Sequence, residues 1–248
     1  MIKVEDLHNS FNGFEVLRGV TFEVAKGEIL ALMGRSGYGK SVLLKHVAGL
    51  MKPDRGRVLI DNKDLVSLRG KELEQLRSRF GFVFQNGALF DSLTIFENVA
   101  FPLIEKTKLS KQEIKNRVTS ALDEVGLTGS ENKYPAQMSG GMIRRAALAR
   151  SLVRNPEIIL FDEPTTGLDP IIGHAILNLI DSCHRRFGFT GILVTHEIPG
   201  AFDIVQKVAM LHEGKILILA SPQGILSSDD PIVQQFITGS IEGPIQYH

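Results

Sequence analysis

An apolar run, Ile29-Leu30-Ala31-Leu32-Met33, leads directly into Gly34-Arg35-Ser36-Gly37-Tyr38-Gly39-Lys40-Ser41. Five consecutive apolar residues predict a strand covered on both faces, as parallel sheets require. The segment from Ser41 to Leu50 predicts a helix ending near Gly49. A loop of this kind between a buried strand and a helix fits the G-x-x-x-x-G-K-[ST] spacing. Its glycines let the backbone curl until several N–H groups point inward. The helix N-terminus adds a dipole that favours negative charge. Together these predict a phosphate cradle, with Lys40 reaching the β- and γ-phosphates of a nucleotide and the Ser41 hydroxyl ligating Mg²⁺. Tyr38 stands where a small residue is more common, so its ring has to point away from the nucleotide or obstruct the loop.

A second apolar run, Ile158-Ile159-Leu160-Phe161, ends in Asp162-Glu163. Doubly wound folds place ligand groups at strand ends. Asp162 is expected to hold Mg²⁺, directly or through water. Glu163 is expected to act as the general base on the attacking water. A third run, Ile192-Leu193-Val194, leads into Thr195-His196-Glu197. His196 is placed to donate to a γ-phosphate oxygen and orient that water. The other histidines read as structural.

Strand patterns also occur at residues 2–4, 20–24, 57–60 and 81–84, and a hairpin is expected around Glu213-Gly214. From Thr94 to about Asn155 the apolar residues adopt helical spacing, as at Ile114, Val118, Ala121, Leu122 and Val125. The expected organisation is one α/β domain with an inserted helical lobe. The core takes residues 1–85 and 156–220, the lobe 86–155, and a tail 221–248. In that tail Ile232, Val233, Phe236 and Ile237 share helical spacing and are expected to dock on the same chain or on a neighbouring copy. The last residues of the tail are expected to be disordered.

Composition limits the partners. Twenty-eight basic residues balance 28 acidic ones, so no overall basic excess points to nucleic acid. A single cysteine, Cys183, allows no intrachain disulfide and agrees with a reducing cytosol. No window approaches about 18 uninterrupted apolar residues, so no membrane span is expected. The N-terminus does not read as a secretory signal.

Phosphate loops serve many nucleotide enzymes. What narrows the choice is Met138-Ser139-Gly140-Gly141-Met142, followed by Arg144-Arg145-Ala146-Ala147-Leu148-Ala149-Arg150. Ser-Gly-Gly at a helix start exposes N–H groups and a hydroxyl, another anion site. Nothing beside it would complete catalysis alone. Such a site makes sense if it closes a nucleotide pocket across a dimer.

With these motifs in this order, plus Phe11, Gln85 and Gly167-Leu168-Asp169, the chain resembles the nucleotide-binding subunit of ABC transporters over nearly its whole length. The resemblance implies a P-loop NTPase core, mostly parallel with an antiparallel N-terminal sheet, plus the helical subdomain. It implies an ATPase that uses ATP and Mg²⁺ and works as a homodimer. Phe11 would stack on adenine, with Val16 beside it. The nucleotide site would take in residues 34–41 and Val42. Gln85 would reach Mg²⁺ and the water, and its loop would sense a membrane partner. Ser139 and Gly141, with Gly140 between them, would contact the γ-phosphate held by the other subunit. Asp169 would lie at the dimer seam. The family's usual signature is Leu-Ser-Gly-Gly-Gln, so Met138 and Met142 are departures that leave the effect on dimer closure open.

The signature, and the stretch Phe84-Gln85-Asn86-Gly87-Ala88-Leu89-Phe90, look like the lipid-handling Mla/Mce-associated branch, also described as toluene tolerance. That implies an ATPase on the cytoplasmic face of the inner membrane, driving an MlaE-like permease with an Mce-domain protein in phospholipid transport. Gly87-Ala88-Leu89-Phe90 would offer an apolar surface for a short helix of that permease. Two alternatives stay open. One is an ABC ATPase for another substrate, such as an amino acid, a metal ion or a lipoprotein. The other is a soluble ABC ATPase, which the lack of heptads and repeats disfavours.

Overall fold

The structure, a computed structural model, describes residues 1–246. Residues 247 and 248 of the expected tail lie outside the described residues. In chain order the elements are β1 (Ile2–Phe11), β2 (Phe14–Val24), β3 (Ile29–Met33), α1 (Lys40–Val47), β4 (Arg55–Ile60), β5 (Lys63–Asp64), α2 (Gly70–Arg77) and β6 (Phe80–Val83). There follow α3 (Ile95–Lys106), α4 (Lys111–Glu124), α5 (Gly140–Leu152), β7 (Ile158–Asp162), α6 (Pro170–Phe187) and β8 (Thr190–Val194). The last are α7 (Ile198–Phe202), β9 (Lys207–His212), β10 (Lys215–Ala220), α8 (Pro222–Leu226) and α9 (Pro231–Thr238). Two compact units result: Met1–Glu74 with Thr190–His248, and Gln75–Phe189.

The first unit holds two sheets. An antiparallel one runs β2-β1-β4-β5. Its hairpins turn on left-handed pairs, Asn12-Gly13 between β1 and β2 and Asp61-Asn62 between β4 and β5. Two-residue turns of this hand match the twist of the flanking strands. The other sheet centres on β3, which pairs parallel with β8 on one side and β9 on the other. All five residues of β3 and all five of β8 are buried, as the apolar runs Ile29–Met33 and Ile192-Leu193-Val194 predict, and β8 buries Thr190 as well. β10 adds an antiparallel edge to β9 through the Glu213-Gly214 turn.

The tail folds onto its own unit. Asp230 caps α9 by accepting from Ile232 and Val233 N–H groups. Gln235, buried, then fastens the segment beyond the helix. Its Oε1 accepts from Ile245 N at 2.7 Å and its Nε2 donates to the Ile245 carbonyl at 3.1 Å.

In the second unit, β6 and β7 pair in parallel from Phe80 with Ile158 to Val83 with Phe161. Helices α3, α4 and α5 occupy the stretch where helical spacing was expected. Ser110 and Thr94 each form a capping box with a glutamate three residues on, Glu113 and Glu97. The 18-residue α6 is capped by Asp169 and stopped by left-handed Gly188. Among the described residues no helix is long and apolar enough to cross a membrane.

Candidate functional site

The expected residues divide between the units. Phe11, Val16, residues 34–41, Val42 and His196 belong to the first, and Gln85, Ser139, Gly140, Gly141, Asp162 and Glu163 to the second.

In the first unit the loop begins at the carboxyl end of β3. Gly34 has φ +140°, and a Cβ there would lie 2.2 Å from the Leu211 carbonyl oxygen, so the loop leaves the sheet only as glycine. Gly39 is left-handed and precedes α1 with no side-chain cap. The first turn of α1 holds no acid, so its N–H groups and dipole face an uncontested end. Lys40 is buried, and its Nζ donates to the carbonyls of Gly34 at 2.8 Å and Arg35 at 3.1 Å. The ammonium is thereby curled over the loop. Ser41 is exposed and Val42 half-buried. Arg35 Nη1 donates to the Gln246 carbonyl at 2.7 Å, so the tail reaches the phosphate loop.

His196 is exposed two residues beyond β8, and Thr195 N donates to the Leu32 carbonyl at 3.3 Å. The loop and His196 thus leave the carboxyl ends of neighbouring parallel strands, where open α/β sheets bind ligands. Phe11 and Phe14 face each other across the first hairpin and are both exposed. Phe14, which the sequence reading did not single out, lines a cleft of about 290 Å³ with Val16, Arg18, Gly37, Tyr38 and Gly214. The Tyr38 ring stands edge-on against His212, centroids 5.3 Å apart and planes at 79°.

In the second unit Asp162 ends β7 and Glu163 takes a left-handed backbone, φ +50°. A non-glycine residue held there stores strain, which functional sites tolerate when their surroundings enforce it. Thr166 and Gln85 are among the groups that hold the carboxylate. Glu163 Oε2 accepts from Thr166 Oγ1 at 3.0 Å and from Gln85 Nε2 at 3.4 Å. Gln85 is two residues past β6, so the parallel pairing brings it level with the end of β7.

Ser139 caps α5, accepting from Met142 N at 3.3 Å. Ser139 and Gly140 are exposed, and the first turn of α5 has no acid. A Cβ on Gly141 would lie 2.7 Å from Ile172, and one on Gly140 3.0 Å from the end of the Leu168 side chain, so the helix start packs closely, most tightly at Gly141. Two arginines of α5 tie it to the neighbouring loops. Buried Arg144 donates to the carbonyls of Pro164 and Thr166, both at 3.1 Å. Arg150 donates to the carbonyls of Gly87 and Ala88, both at 2.6 Å. Burial lowers both guanidinium pKa values from the usual arginine range. Thr166 and the bonding of Arg144 were missed in the sequence reading; Arg144 was visible only as part of the signature string.

The ABC transporter family pattern matches residues 17–166, from β2 to the loop beyond Glu163. The chain belongs to the ABC transporter family. The Haemophilus influenzae intermembrane phospholipid transport system ATP-binding protein MlaF is 38% identical over 247 residues, covering all of this chain and 94% of the relative. A probable ribonucleotide transport ATP-binding protein, mkl of Mycobacterium leprae, is 42% identical over 244 residues, or 98% of this chain and 70% of the relative. Among solved structures, the dimeric post-hydrolysis state of the ATP-binding cassette MJ0796 bound to ADP and Pi matches with a TM-score of 0.82 and 34% identity, over 90% of this chain and 99% of that one. The ABC chain described here is therefore an ATP-binding and ATP-hydrolysing subunit with the cassette fold.

Proposed function

We propose that this ABC subunit dimerises around two ATP molecules on the cytoplasmic face of the inner membrane and drives a permease that moves phospholipid between membranes. The observation that carries the catalytic part is the Glu163 carboxylate, fixed by Thr166 and Gln85 on a strained backbone. Such fixing is what a general base needs to aim at one water.

In the proposed cycle the loop N–H groups and Lys40 neutralise the β- and γ-phosphates. Phe11 and Val16 take the adenine. Ser139, Gly140 and Gly141 of one copy close over the γ-phosphate bound by the other, their N–H groups supplying the anion contacts. Glu163 accepts the proton of the attacking water, and His196 orients that water from a γ-phosphate oxygen. Ser41, Gln85 and Asp162 offer a hydroxyl, an amide and a carboxylate, an all-oxygen donor set that fits Mg²⁺. When bound, that ion would supply positive charge against the phosphates.

ATP favours the closed dimer by binding it more tightly than the open one, and hydrolysis releases it. The permease side is supported by a groove of about 310 Å³ in the second unit, with Phe84, Ala88, Phe90, Phe101 and Pro102 on its walls. Stacked Phe82 and Phe84, 4.2 Å between centroids, and the Phe90–Phe101 pair at 4.9 Å make it aromatic. It suits a short apolar helix of an MlaE-like membrane subunit, itself working with an Mce-domain protein. The phospholipid assignment rests on the likeness to MlaF across 94% of that relative.

The test compares ATP turnover of wild type and Glu163→Gln, with size exclusion in Mg-ATP. Wild type should hydrolyse; the variant should not, and should elute as an ATP-dependent dimer. Full turnover by Glu163→Gln would remove the glutamate from its role. For the cargo, the subunit copurified with its membrane partners is reconstituted in vesicles. Turnover stimulated by phospholipid acceptors supports the lipid reading, and stimulation by ribonucleotides instead overturns it.

A further inference from the structure

Only two buried side-chain nitrogens among the described residues lack a hydrogen-bond partner, Arg18 Nε and His212 Nδ1. Both belong to the surroundings of one cleft. Arg18 lines the 290 Å³ space beside the phosphate loop, and His212 carries the Tyr38 ring that forms another part of its wall. Arg18 Nε has the Glu15 carboxylate 3.7 Å away, an ion pair too long for a hydrogen bond. A buried N–H in this state donates its hydrogen bond to a water or to a ligand atom.

The cleft is built rigidly against the loop. The missing Cβ of Gly39 would lie 2.8 Å from Val16 Cγ1, so β2 touches the loop directly. The missing Cβ of Gly214 would lie 2.6 Å from the Val16 carbonyl oxygen, and Arg18 N donates to the Gly214 carbonyl at 2.8 Å. Phe14, Val16 and Tyr38 therefore present two aromatic rings and a branched aliphatic to a space that opens next to Gly37. Its volume lies at the small end for ligand clefts, about 300–1,000 Å³. Glu15 and Glu213 also line the cleft, so its aromatic and aliphatic walls carry carboxylates able to accept from sugar hydroxyls; such walls suit a flat heterocycle on a hydroxylated sugar.

The geometry points to Tyr38 as a nucleoside-positioning residue: its ring, braced by His212, forms with Phe14 and Val16 the wall against which the purine and ribose of the nucleotide lie, and Arg18 Nε donates to them. This rests on the phosphate loop holding the same nucleotide. In place of a ring turned away from the nucleotide, as the loop pattern alone suggests, it makes the Tyr38 ring part of the nucleoside wall, beside the surface assigned to Phe11.

The test measures binding of Mg-ATP and of inorganic tripolyphosphate to the intact chain, wild type, Tyr38→Ala, Tyr38→Phe and Lys40→Ala. Tyr38→Ala is expected to weaken ATP about tenfold, the size of one lost stacking contact, and to change tripolyphosphate less than about twofold. Tyr38→Phe keeps the ring and should bind ATP like wild type. Arg18→Gln should weaken ATP while sparing tripolyphosphate. Equal losses for both ligands in Tyr38→Ala would mean that the ring only shapes the loop, and would overturn the inference. So would unchanged or tighter ATP binding. If Lys40→Ala leaves both ligands bound as before, the phosphate-loop reading fails first, and this inference with it.

Discussion

The Thr166 hydroxyl donates to Glu163 Oε2 at 3.0 Å, three residues downstream of a carboxylate on a left-handed backbone. Removing it with Thr166→Ala leaves the fold intact and frees the carboxylate. One hydrogen bond to a charged group is worth about 1.5–3 kcal/mol, and part of that survives through Gln85. Turnover should fall about five- to tenfold at saturating ATP, with ATP affinity unchanged. Steady-state kinetics and a binding isotherm check both halves; a loss of affinity instead would place Thr166 in nucleotide binding.

Asn98 is fully buried on α3 and holds the loop that follows Gln85. Its Oδ1 accepts from Phe90 N at 2.7 Å, and its Nδ2 lies within bonding distance of the Phe90, Leu93 and Thr94 carbonyls. Asn98→Leu takes the side-chain partner from Phe90 N and the Leu93 carbonyl, while the Phe90 and Thr94 carbonyls keep Leu93 N and residue 98 N, at about 1–3 kcal/mol for each group left unpaired. Urea unfolding should shift to a lower midpoint by several kcal/mol equivalent. The Phe90 wall of the aromatic groove should lose its position, read as weaker copurification with the membrane subunits.

His8 lies between two carboxylates, Nδ1 3.1 Å from Glu15 and Nε2 3.1 Å from Asp6. The bonds to Glu15, then Asp6, raise its pKa above the ordinary value. A raised folded pKa means that the native chain binds the proton more tightly than the unfolded one. The stabilisation is fully present below the unfolded pKa, about 6.5, and is lost as pH rises through the folded value. His8→Gln should therefore be less stable than wild type at pH 6, and the gap should shrink by pH 9. Paired urea titrations at the two pH values measure it; a constant gap would assign the loss to packing.

Gln235 spends its whole amide on the segment beyond α9, and Gly243 passes so close that a Cβ there would lie 2.4 Å from the Gln235 amide. Gln235→Leu removes both bonds to Ile245 at nearly constant volume. The chain should stay folded, with the thermal midpoint down by a few degrees for about 1–2 kcal/mol. Protease nicking between residues 239 and 246 should rise, as expected for a segment released from its anchor.

The parallel strands were legible because burial on both faces leaves no polar residue to break the run, as at Ile29–Met33 and Ile158–Phe161. Elements with little burial were not. Helix α2 is eight residues long and buries Leu76 alone, so its one apolar pair, Leu73 and Leu76, is too short a stripe to read. Strands β1 and β2 run well beyond their alternating stretches, because register shifts at Val4–Leu7 and Asn9–Ser10 interrupt the period of two. The pair Lys63-Asp64 is a two-residue strand after the turn at Asp61-Asn62, too short to leave a pattern. At the site, the residue types and their spacing were readable. The left-handed backbone of Glu163, the placement of Phe14 on the cleft and the carbonyl partners of Arg144 and Arg150 come from tertiary contacts, which leave no local pattern.

Those two arginines have a mechanical consequence. Six residues separate them on one helix, about 9 Å at 1.5 Å per residue. One is bolted to the turn after Glu163 and the other to the turn after Gln85. A beam with a pin near each end transmits displacement without storing it. The four bonds make the aromatic groove and the turn after Glu163 two ends of one hydrogen-bonded element, so re-aiming either turn alone has to break bonds to this helix.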